Sequence, residues 1–217
     1  MHSGKKKRDL DKTRGRILSA ATKEFHAYGF AGARIDSIAK RARVNRAMVY
    51  YIFKKKQDLH LAVVESLLSD ALAEVTPHLE KPDVSLTDVV HVLTIFYNHI
   101  IDNETAARIV AQDLINGAKT LRRLKNRRSQ LFVYFDTVAD SLQRMIRKKL
   151  FKPYDPNMVL LAVFITILFT ACTLPHMDLV TEKGSKEHRR LSDKENWRAF
   201  FTEAAIRVVT PDSDNLS

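Results

Sequence analysis

The sequence has 217 residues, of which 45% are hydrophobic and only 6 are glycine and 6 proline. This composition excludes a disordered or collagen-like chain and is typical of a globular protein. The chain contains 36 Lys and Arg against 25 Asp and Glu, which gives a formal net charge of +11. Residues 1–56 hold 16 of the basic residues and only 4 of the acidic ones, so the whole positive excess lies there. This distribution indicates an N-terminal module that binds anions, most commonly nucleic acid.

Helical periodicity begins close to the N-terminus. Apolar residues from Ile17 to Tyr28 recur with the spacing of one helix face, and Gly29 is a typical stop signal. A short second helix is predicted around Ile35–Ala39 and a third around Met48–Phe53. A fourth, longer helix is predicted from Leu59 to near Pro77.

The same periodicity continues through the rest of the chain. Helices are predicted over residues 85–102, 103–116, 120–151, 156–174 and 193–209, and a charged loop over Thr181–Ser192. No run of alternating apolar and polar residues indicates a strand. The predicted fold is therefore all-α, with about nine helices.

The segment Gly29–Phe53 has the features of a helix-turn-helix. Two short helices that cross at a steep angle need a small residue where they touch, an apolar residue after the turn and a polar cap on the second helix. Ala39, Val44 and Asn45 supply these features in that order. An asparagine cap accepts a hydrogen bond from a backbone N–H two or three residues further on. The second helix then presents Arg46, Ala47, Tyr50 and Tyr51 outward.

This second helix is expected to read DNA, because a recognition helix contacts base edges with its N-terminal residues and phosphates with its flanks. Val49 and Phe53 are expected to face the interior. Arg46 is the expected base contact, since arginine with guanine is the commonest specific pairing, and a solvated arginine is the alternative. The alternative for the tyrosines is packing, and of the two Tyr50 is expected to be partly buried.

Residues between 13 and 60 also keep several fixed spacings across these helices. They are Arg16–Ala21, Phe25, Gly29, Phe30, Ile35, Ile38, Ala39, Val44, Asn45, Val49–Phe53, Lys56 and Leu59. In this pattern the chain resembles the N-terminal domain of TetR-family (tetracycline-repressor-type) transcriptional regulators. The resemblance implies a homodimeric repressor whose C-terminal domain holds an effector pocket and the dimer interface.

The resemblance also implies roles for the matching positions. Asn45 stands at the cap that usually bears serine, Arg46 and Ala47 stand at base-reading positions, and the tyrosine pair stands where base edges and phosphate are touched. Lys56 matches the lysine that opens the fourth helix and neutralises a phosphate. The predicted DNA-binding residues are Arg34, Asn45, Arg46, Ala47, Tyr50, Tyr51, Lys55 and Lys56.

Three positions depart from the family pattern. Ala33 and Arg34 replace the usual threonine or serine at the start of the second helix, so a charged contact is expected in place of a hydroxyl–phosphate bond. Arg43 stands where a turn glycine is common, and a left-handed conformation there costs about 1 kcal/mol. Ile52 replaces a frequent histidine and removes a phosphate contact.

The resemblance divides the chain into three parts. Residues 1–12 are predicted as a basic flexible arm, 13–60 as the helix-turn-helix domain, and 61–217 as an effector-binding and dimerisation domain. The arm, with Lys5–Arg8, either enters the minor groove beside the recognition helix or is a solubilising tail. Dimerisation is expected through the helices at about 156–174 and 193–209, packed as a four-helix bundle.

An unknown small-molecule effector, apolar or amphipathic, is expected in the C-terminal domain. The candidate effector-binding residues are Phe96, His99, Gln112, Phe132, Phe135 and Phe164. Such aromatic residues are by default core residues. Residues 119–128 contain six Lys and Arg and no acid. We expect a solvated helix face there, with the phosphate head group of an effector such as an acyl-coenzyme A as the alternative.

The single cysteine, Cys172, excludes an intrachain disulfide and favours a reducing, cytoplasmic location. The basic N-terminus is not followed by an apolar stretch, so no secretory signal is expected. Met158–Leu174 is apolar apart from three threonines, but its 17 residues are short for a membrane span. A helix buried between helices or subunits is also apolar all round. We therefore predict no membrane partner.

No enzyme, cofactor, catalytic residue or metal site is predicted. The sequence lacks a phosphate-binding loop, a GxSxG elbow, an HExxH helix and paired cysteines with metal-ligand spacing. The alternative function is a non-specific nucleic-acid or anionic membrane-surface protein that uses only the charge of its N-terminus. The ordered pattern at Val44–Phe53 favours a sequence-specific double-stranded DNA regulator that binds a near-palindromic operator, because charge attraction does not need that pattern.

Overall fold

The computed structural model describes residues 2–79, 81 and 84–210. These residues form eleven α-helices and one short 3-10 helix and contain no strand, which confirms the all-α class and exceeds the predicted number of helices. The α-helices are α1 (His2–Gly32), α2 (Ile35–Ala42), α3 (Arg46–Phe53), α4 (Lys56–Leu79), α5 (Leu86–Asp102), α6 (Glu104–Ile115), α7 (Lys119–Asn126), α8 (Gln130–Arg147), α9 (Pro156–Thr173), α10 (Lys186–Ser192) and α11 (Lys194–Val209), and the 3-10 helix is Leu174–Leu179.

The chain divides into two compact units. The first unit comprises Met1–Leu68 and Arg108–Arg127, and the second comprises Ser69–Ala107 and Arg128–Ser217. The first unit therefore contains α1–α3, the start of α4, most of α6 and all of α7.

The core of the first unit joins α1, α2 and α3. Ile17 and Phe25 of α1 and Ile38 of α2 are completely buried, and Val49 and Phe53 of α3 are 1% and 6% exposed. Burying side chains of this size removes enough apolar surface from water to contribute about 1.5–3 kcal/mol each. This packing fixes which face of α3 points outward.

The core of the second unit is built from apolar residues of α4, α5 and α8, from Val84 before α5 and from the segment after α8. Its buried members are Val75, Val84, Val89, Val92, Ile95, Val138, Leu142, Met145 and Phe151. Side-chain caps define two of the helix starts. Ser85 and Asp88 form a reciprocal capping box on α5, and Asp155 accepts hydrogen bonds at the start of α9.

Three expectations about local structure differ from the structure. The predicted helix 120–151 is two helices, because the helical path is interrupted at residues 127–129, where Arg128 has a positive φ of 48°. The predicted loop Thr181–Ser192 contains α10, whose N-cap Ser185 accepts a hydrogen bond from the His188 N–H. The predicted flexible arm 1–12 is helical from His2, since its basic residues are good helix formers and no proline interrupts them. Met1 lies outside the described residues.

Candidate functional site

Helix α3 presents a polar and aromatic face on the surface of the first unit. Arg46, Ala47 and Tyr51 are exposed, and Tyr50 is half-buried, as the spacing predicted. Tyr51 has 62% of its surface exposed. Tyr51 therefore takes no part in the core that Val49 joins.

The turn before α3 has the predicted geometry. Arg43 adopts a left-handed conformation with φ 56° and ψ 46°, at the cost that the sequence predicted for this position. The Val44 N–H donates to the Ala39 carbonyl at 3.0 Å and closes the end of α2. The side chain of Asn45 accepts a hydrogen bond from the Met48 N–H at 2.8 Å. The cap at Asn45 therefore sets where α3 begins and which residues form its first turn.

A buried carboxylate that the sequence did not reveal joins α1 to α2. Glu24 is 3% exposed, and its Oε1 accepts a hydrogen bond from the Arg34 N–H at 3.2 Å. Its Oε2 lies 3.8 Å from a guanidinium nitrogen of Arg41. Arg34 is the N-cap of α2 and its own side chain makes no cap bond. Glu24 thus accepts the backbone N–H of the α2 N-cap residue, as the carboxylate of a capping box does, and a negative charge is favourable at a helix N-terminus.

The cations predicted to contact phosphate lie on either side of α3. Arg34 and Lys55 are exposed, whereas Lys56 is half-buried at the start of α4. The Lys56 ammonium donates to the Ala31 carbonyl at 3.3 Å and lies 4.9 Å from the centre of the Phe30 ring. Burial lowers the pKa of Lys56, and the nearby Glu24 opposes this shift.

The basic residues of α7 have specific partners within the first unit. Asp113 accepts hydrogen bonds from the N–H groups of Thr120 and Leu121 and so caps the N-terminus of α7. Arg123 and Arg127 lie 3.0 and 3.7 Å from Asp58 in the first turn of α4. The other cations of α7, Lys119, Arg122 and Lys125, are exposed.

A buried histidine connects three helices of the first unit. His60 of α4 is 3% exposed, and its ring contacts Phe25 and Phe30 at centroid distances of 4.6 and 5.2 Å. Its Nδ1 lies 2.8 Å from the hydroxyl of Thr120 on α7. Burial lowers the pKa of His60, the nearby Lys56 adds to this shift and Asp113 opposes it. His60 is therefore neutral at pH 7.

The second unit contains an apolar cavity of about 480 Å³, partly open to solvent, lined by α5, α8, α9 and α11. This volume lies within the range of small-molecule sites. Several polar side chains at its wall are already engaged. The Tyr97 hydroxyl donates to the Lys194 carbonyl at 2.7 Å, and the hydroxyl of Thr166 donates to the Ala162 carbonyl. Burial raises the pKa of Tyr97 to about 12, so this phenol stays neutral.

The candidate effector-binding residues fall into two groups. Phe96, Phe135 and Phe164 line the cavity. Phe132 is not part of the wall but packs on Phe135 with ring centres 6.0 Å apart. The other two candidates, His99 and Gln112, are also absent from the wall. Gln112 belongs to the first unit, where its side chain lies beside Gly29.

Helix α9 exposes a row of apolar side chains. Met158, Leu161, Ile165 and Phe169 are 72%, 58%, 41% and 62% exposed and lie on one face. The stretch Pro156–Leu179 is long and apolar enough to cross a membrane, and only 28% of its most apolar part is buried in the protein.

Within the residues that the structure describes, no group of three or more His, Cys, Asp or Glu is arranged to hold a metal ion.

The first unit is thus a helix-turn-helix unit, with α3 as its exposed second helix. Residues 17–63 match the family model described as bacterial regulatory proteins, tetR family. The match is confined to the N-terminal helix-turn-helix part of the chain, which resembles the corresponding domain of TetR-family transcriptional regulators.

Relatives and solved structures extend this likeness. The chain is 29% identical over 130 residues to the HTH-type transcriptional repressor NicS of Pseudomonas putida, a match that covers 58% of this chain and only 60% of NicS. It is 24% identical over 179 residues to the HTH-type transcriptional regulator RutR of Escherichia coli, covering 82% of this chain and 83% of RutR. The structure of the transcriptional regulator FadR of Bacillus subtilis in complex with stearoyl-CoA shares the fold, with a TM-score of 0.66, 16% identity and coverage of 89% and 97%.

The buried, neutral state of His60 predicts that acid destabilises the first unit. In the unfolded chain the His60 ring binds a proton below about pH 6.5, whereas burial disfavours the protonated ring in the folded protein. The free energy of unfolding therefore decreases as the pH falls below this value. His60→Gln should reduce the loss of unfolding free energy between about pH 8 and about pH 5.5, measured by urea titration with circular dichroism. The exposed His176→Gln is the control and should keep the wild-type loss. An unchanged pH dependence in His60→Gln would contradict the assignment.

Proposed function

We propose that the protein is a sequence-specific transcriptional repressor that binds a near-palindromic operator as a homodimer and releases DNA when an effector enters the second unit. The observation that carries this proposal is the exposed face of α3, held on a rigid frame by the Asn45 cap and the burial of Val49 and Phe53. A membrane-surface or non-specific nucleic-acid protein that uses only its charge does not need this frame. Such a protein is the alternative function.

The exposed side chains of α3 suit the major groove. The first turn of a recognition helix approaches base edges, and an arginine there can donate two hydrogen bonds to guanine O6 and N7. Arg46 occupies that turn, Ala47 is small enough for close approach, and Tyr51 lies one turn further along. Arg34, Lys55 and Lys56 flank the helix and suit phosphates of the two strands. In the proposed complex a DNA phosphate takes the place of the Ala31 carbonyl as the acceptor for the Lys56 ammonium.

A second copy of the chain suits the exposed face of α9. Four large apolar side chains on one helix face form a patch that a soluble monomer seldom exposes. Packing α9 and α11 against their counterparts buries this patch in a symmetric four-helix bundle. Phe200 of α11, which is 58% exposed, lies in the same proposed interface. A twofold dimer then presents two copies of α3 to a palindromic site.

The cavity of the second unit suits an apolar effector. Its aromatic and aliphatic wall, with the polar groups of Tyr97 and Thr166 already paired, favours a long hydrocarbon chain over a charged molecule. FadR, which has the same fold, binds a fatty acyl thioester. An effector that binds more tightly to a dimer whose recognition helices are wrongly spaced releases DNA by differential affinity.

Arg46→Ala should remove one base preference. On a duplex selected from a random library, the variant should bind about 1–3 kcal/mol more weakly and lose discrimination at one base pair in each half-site, measured by fluorescence anisotropy. Lys56→Ala should weaken binding to all duplexes alike, because it removes a phosphate contact. The exposed Arg147→Ala in the second unit is the charge-matched control and should bind as wild type. Unchanged discrimination in Arg46→Ala would refute its role.

Leu161→Glu should give a monomer. A glutamate in the centre of the proposed bundle places an unpaired charge against its symmetry mate, which costs several kcal/mol. Light scattering of the wild type should give the dimer mass and of the variant the monomer mass. Val133→Glu, at an exposed apolar site on α8, is the control and should remain a dimer. A monomeric wild type, or one that binds neutral lipid vesicles through Leu161, would contradict this interface.

Binding of saturated fatty acids should strengthen with chain length until the cavity is full. Each buried methylene contributes about 0.8 kcal/mol, so the Kd measured by titration calorimetry should fall about fourfold per carbon. Val163→Trp fills the cavity and should abolish binding and fatty-acid-induced DNA release. Val133→Trp, outside the cavity, should leave both unchanged. Chain-length-independent binding, or binding that survives Val163→Trp, would exclude this cavity as the site.

A further inference from the structure

Asp36 of α2 contacts the recognition helix although it lies outside the predicted DNA-binding set. The Nη1 of Arg46 lies 3.4 and 3.3 Å from the two carboxylate oxygens of Asp36. The guanidinium of Arg46 also lies over the ring of Tyr50, 5.5 Å from its centre. Three side chains from α2 and α3 therefore form one contact series on the exposed surface of the first unit.

We propose that Asp36 is a specificity-determining positioning residue that orients Arg46 for a guanine. This inference rests on the proposed function, because it concerns the same DNA-reading surface. Asp36 acts through Arg46 and does not itself need to touch a base.

The contact with Asp36 does not use the reading edge of Arg46. A guanidinium has five N–H donors, and Asp36 engages only Nη1. The opposite edge, formed by Nε and Nη2, keeps two parallel donors, and this edge matches the O6 and N7 acceptors of guanine in the major groove. The Tyr50 ring restrains the plane of the guanidinium from one face.

The pair does not serve stability. The side chains of Arg46 and Asp36 are 60% and 71% exposed, and an ion pair this open to water contributes little to folding. Its effect is to restrict a long, rotamer-rich side chain before DNA arrives, which lowers the ordering cost of binding.

Removal of the Asp36 carboxylate should change DNA binding in a direction that distinguishes a positioning role from a structural one. A negative charge at the DNA-facing surface repels phosphate and weakens binding to every sequence. At the correct base pair the better-oriented arginine offsets this repulsion, and at other base pairs nothing does. Removal of the charge should therefore tighten non-specific binding and weaken discrimination, whereas loss of a merely structural residue would weaken both.

The test compares Asp36→Asn, Asp36→Glu, Arg46→Ala and the double variant Asp36→Asn/Arg46→Ala by fluorescence anisotropy. The probes are the duplex selected by the wild type and the same duplex with the Arg46-dependent base pair replaced. Asp36→Asn should bind the replaced duplex more tightly than wild type does and lose about five- to tenfold of the discrimination. Asp36→Glu should retain most of it. The double variant should discriminate no less than Arg46→Ala alone.

Asp11→Asn is the charge-matched control, since Asp11 is an exposed acid of α1 in the same unit. It should tighten binding to both duplexes equally and leave discrimination unchanged. Thermal unfolding of Asp36→Asn should match that of the wild type within a few degrees. Equal tightening on both duplexes by Asp36→Asn, or a further loss in the double variant, would overturn the proposal. If the wild type itself shows no base preference, the proposed function fails instead.

Discussion

The position of α3, the proposed DNA-reading helix, depends on one buried carboxylate. Glu24 of α1 accepts the N–H of Arg34 and thereby fixes where α2 starts relative to α1. The position of α3 relative to α2 is then constrained, because α2 ends in the left-handed turn at Arg43 and α3 begins at the Asn45 cap. A buried carboxylate without its donors is costly, so the structure keeps this hydrogen bond. The exposed face of α3 is the result of this sequence of constraints.

The local features of this frame were predictable from the sequence. The Asn45 cap and the inward Val49 and Phe53 follow from short-range spacing, and the structure has them. The left-handed Arg43 stands where the family resemblance indicated a turn glycine. The role of Glu24 was not predictable, because its partner is ten residues away and only tertiary packing joins them. The contact between Asp36 of α2 and Arg46 of α3 was not predictable for the same reason, because these residues are also ten positions apart. The break between α7 and α8 was missed because both helices continue one amphipathic periodicity.

Helical periodicity identifies buried faces but not what they surround. Phe135 and Phe164 were recognised as apolar face residues, and the structure places both at the cavity wall. Gln112 was also a candidate effector-binding residue, yet it belongs to the first unit. The basic residues of α7 acquire a structural reason only in the fold, because Asp58 pairs with Arg123 and Arg127. A list of charges along the chain cannot reveal such pairs.

The proposed role of α3 is to read guanine in the major groove through Arg46. Methylation interference tests this role, since dimethyl sulfate modifies guanine N7 in the major groove and adenine N3 in the minor groove. If Arg46 contacts guanine in this way, N7 methylation of one guanine in each half-site should block wild-type binding and have no effect on the binding of Arg46→Ala. Interference confined to adenine N3, or N7 interference of equal strength in both proteins, would contradict it.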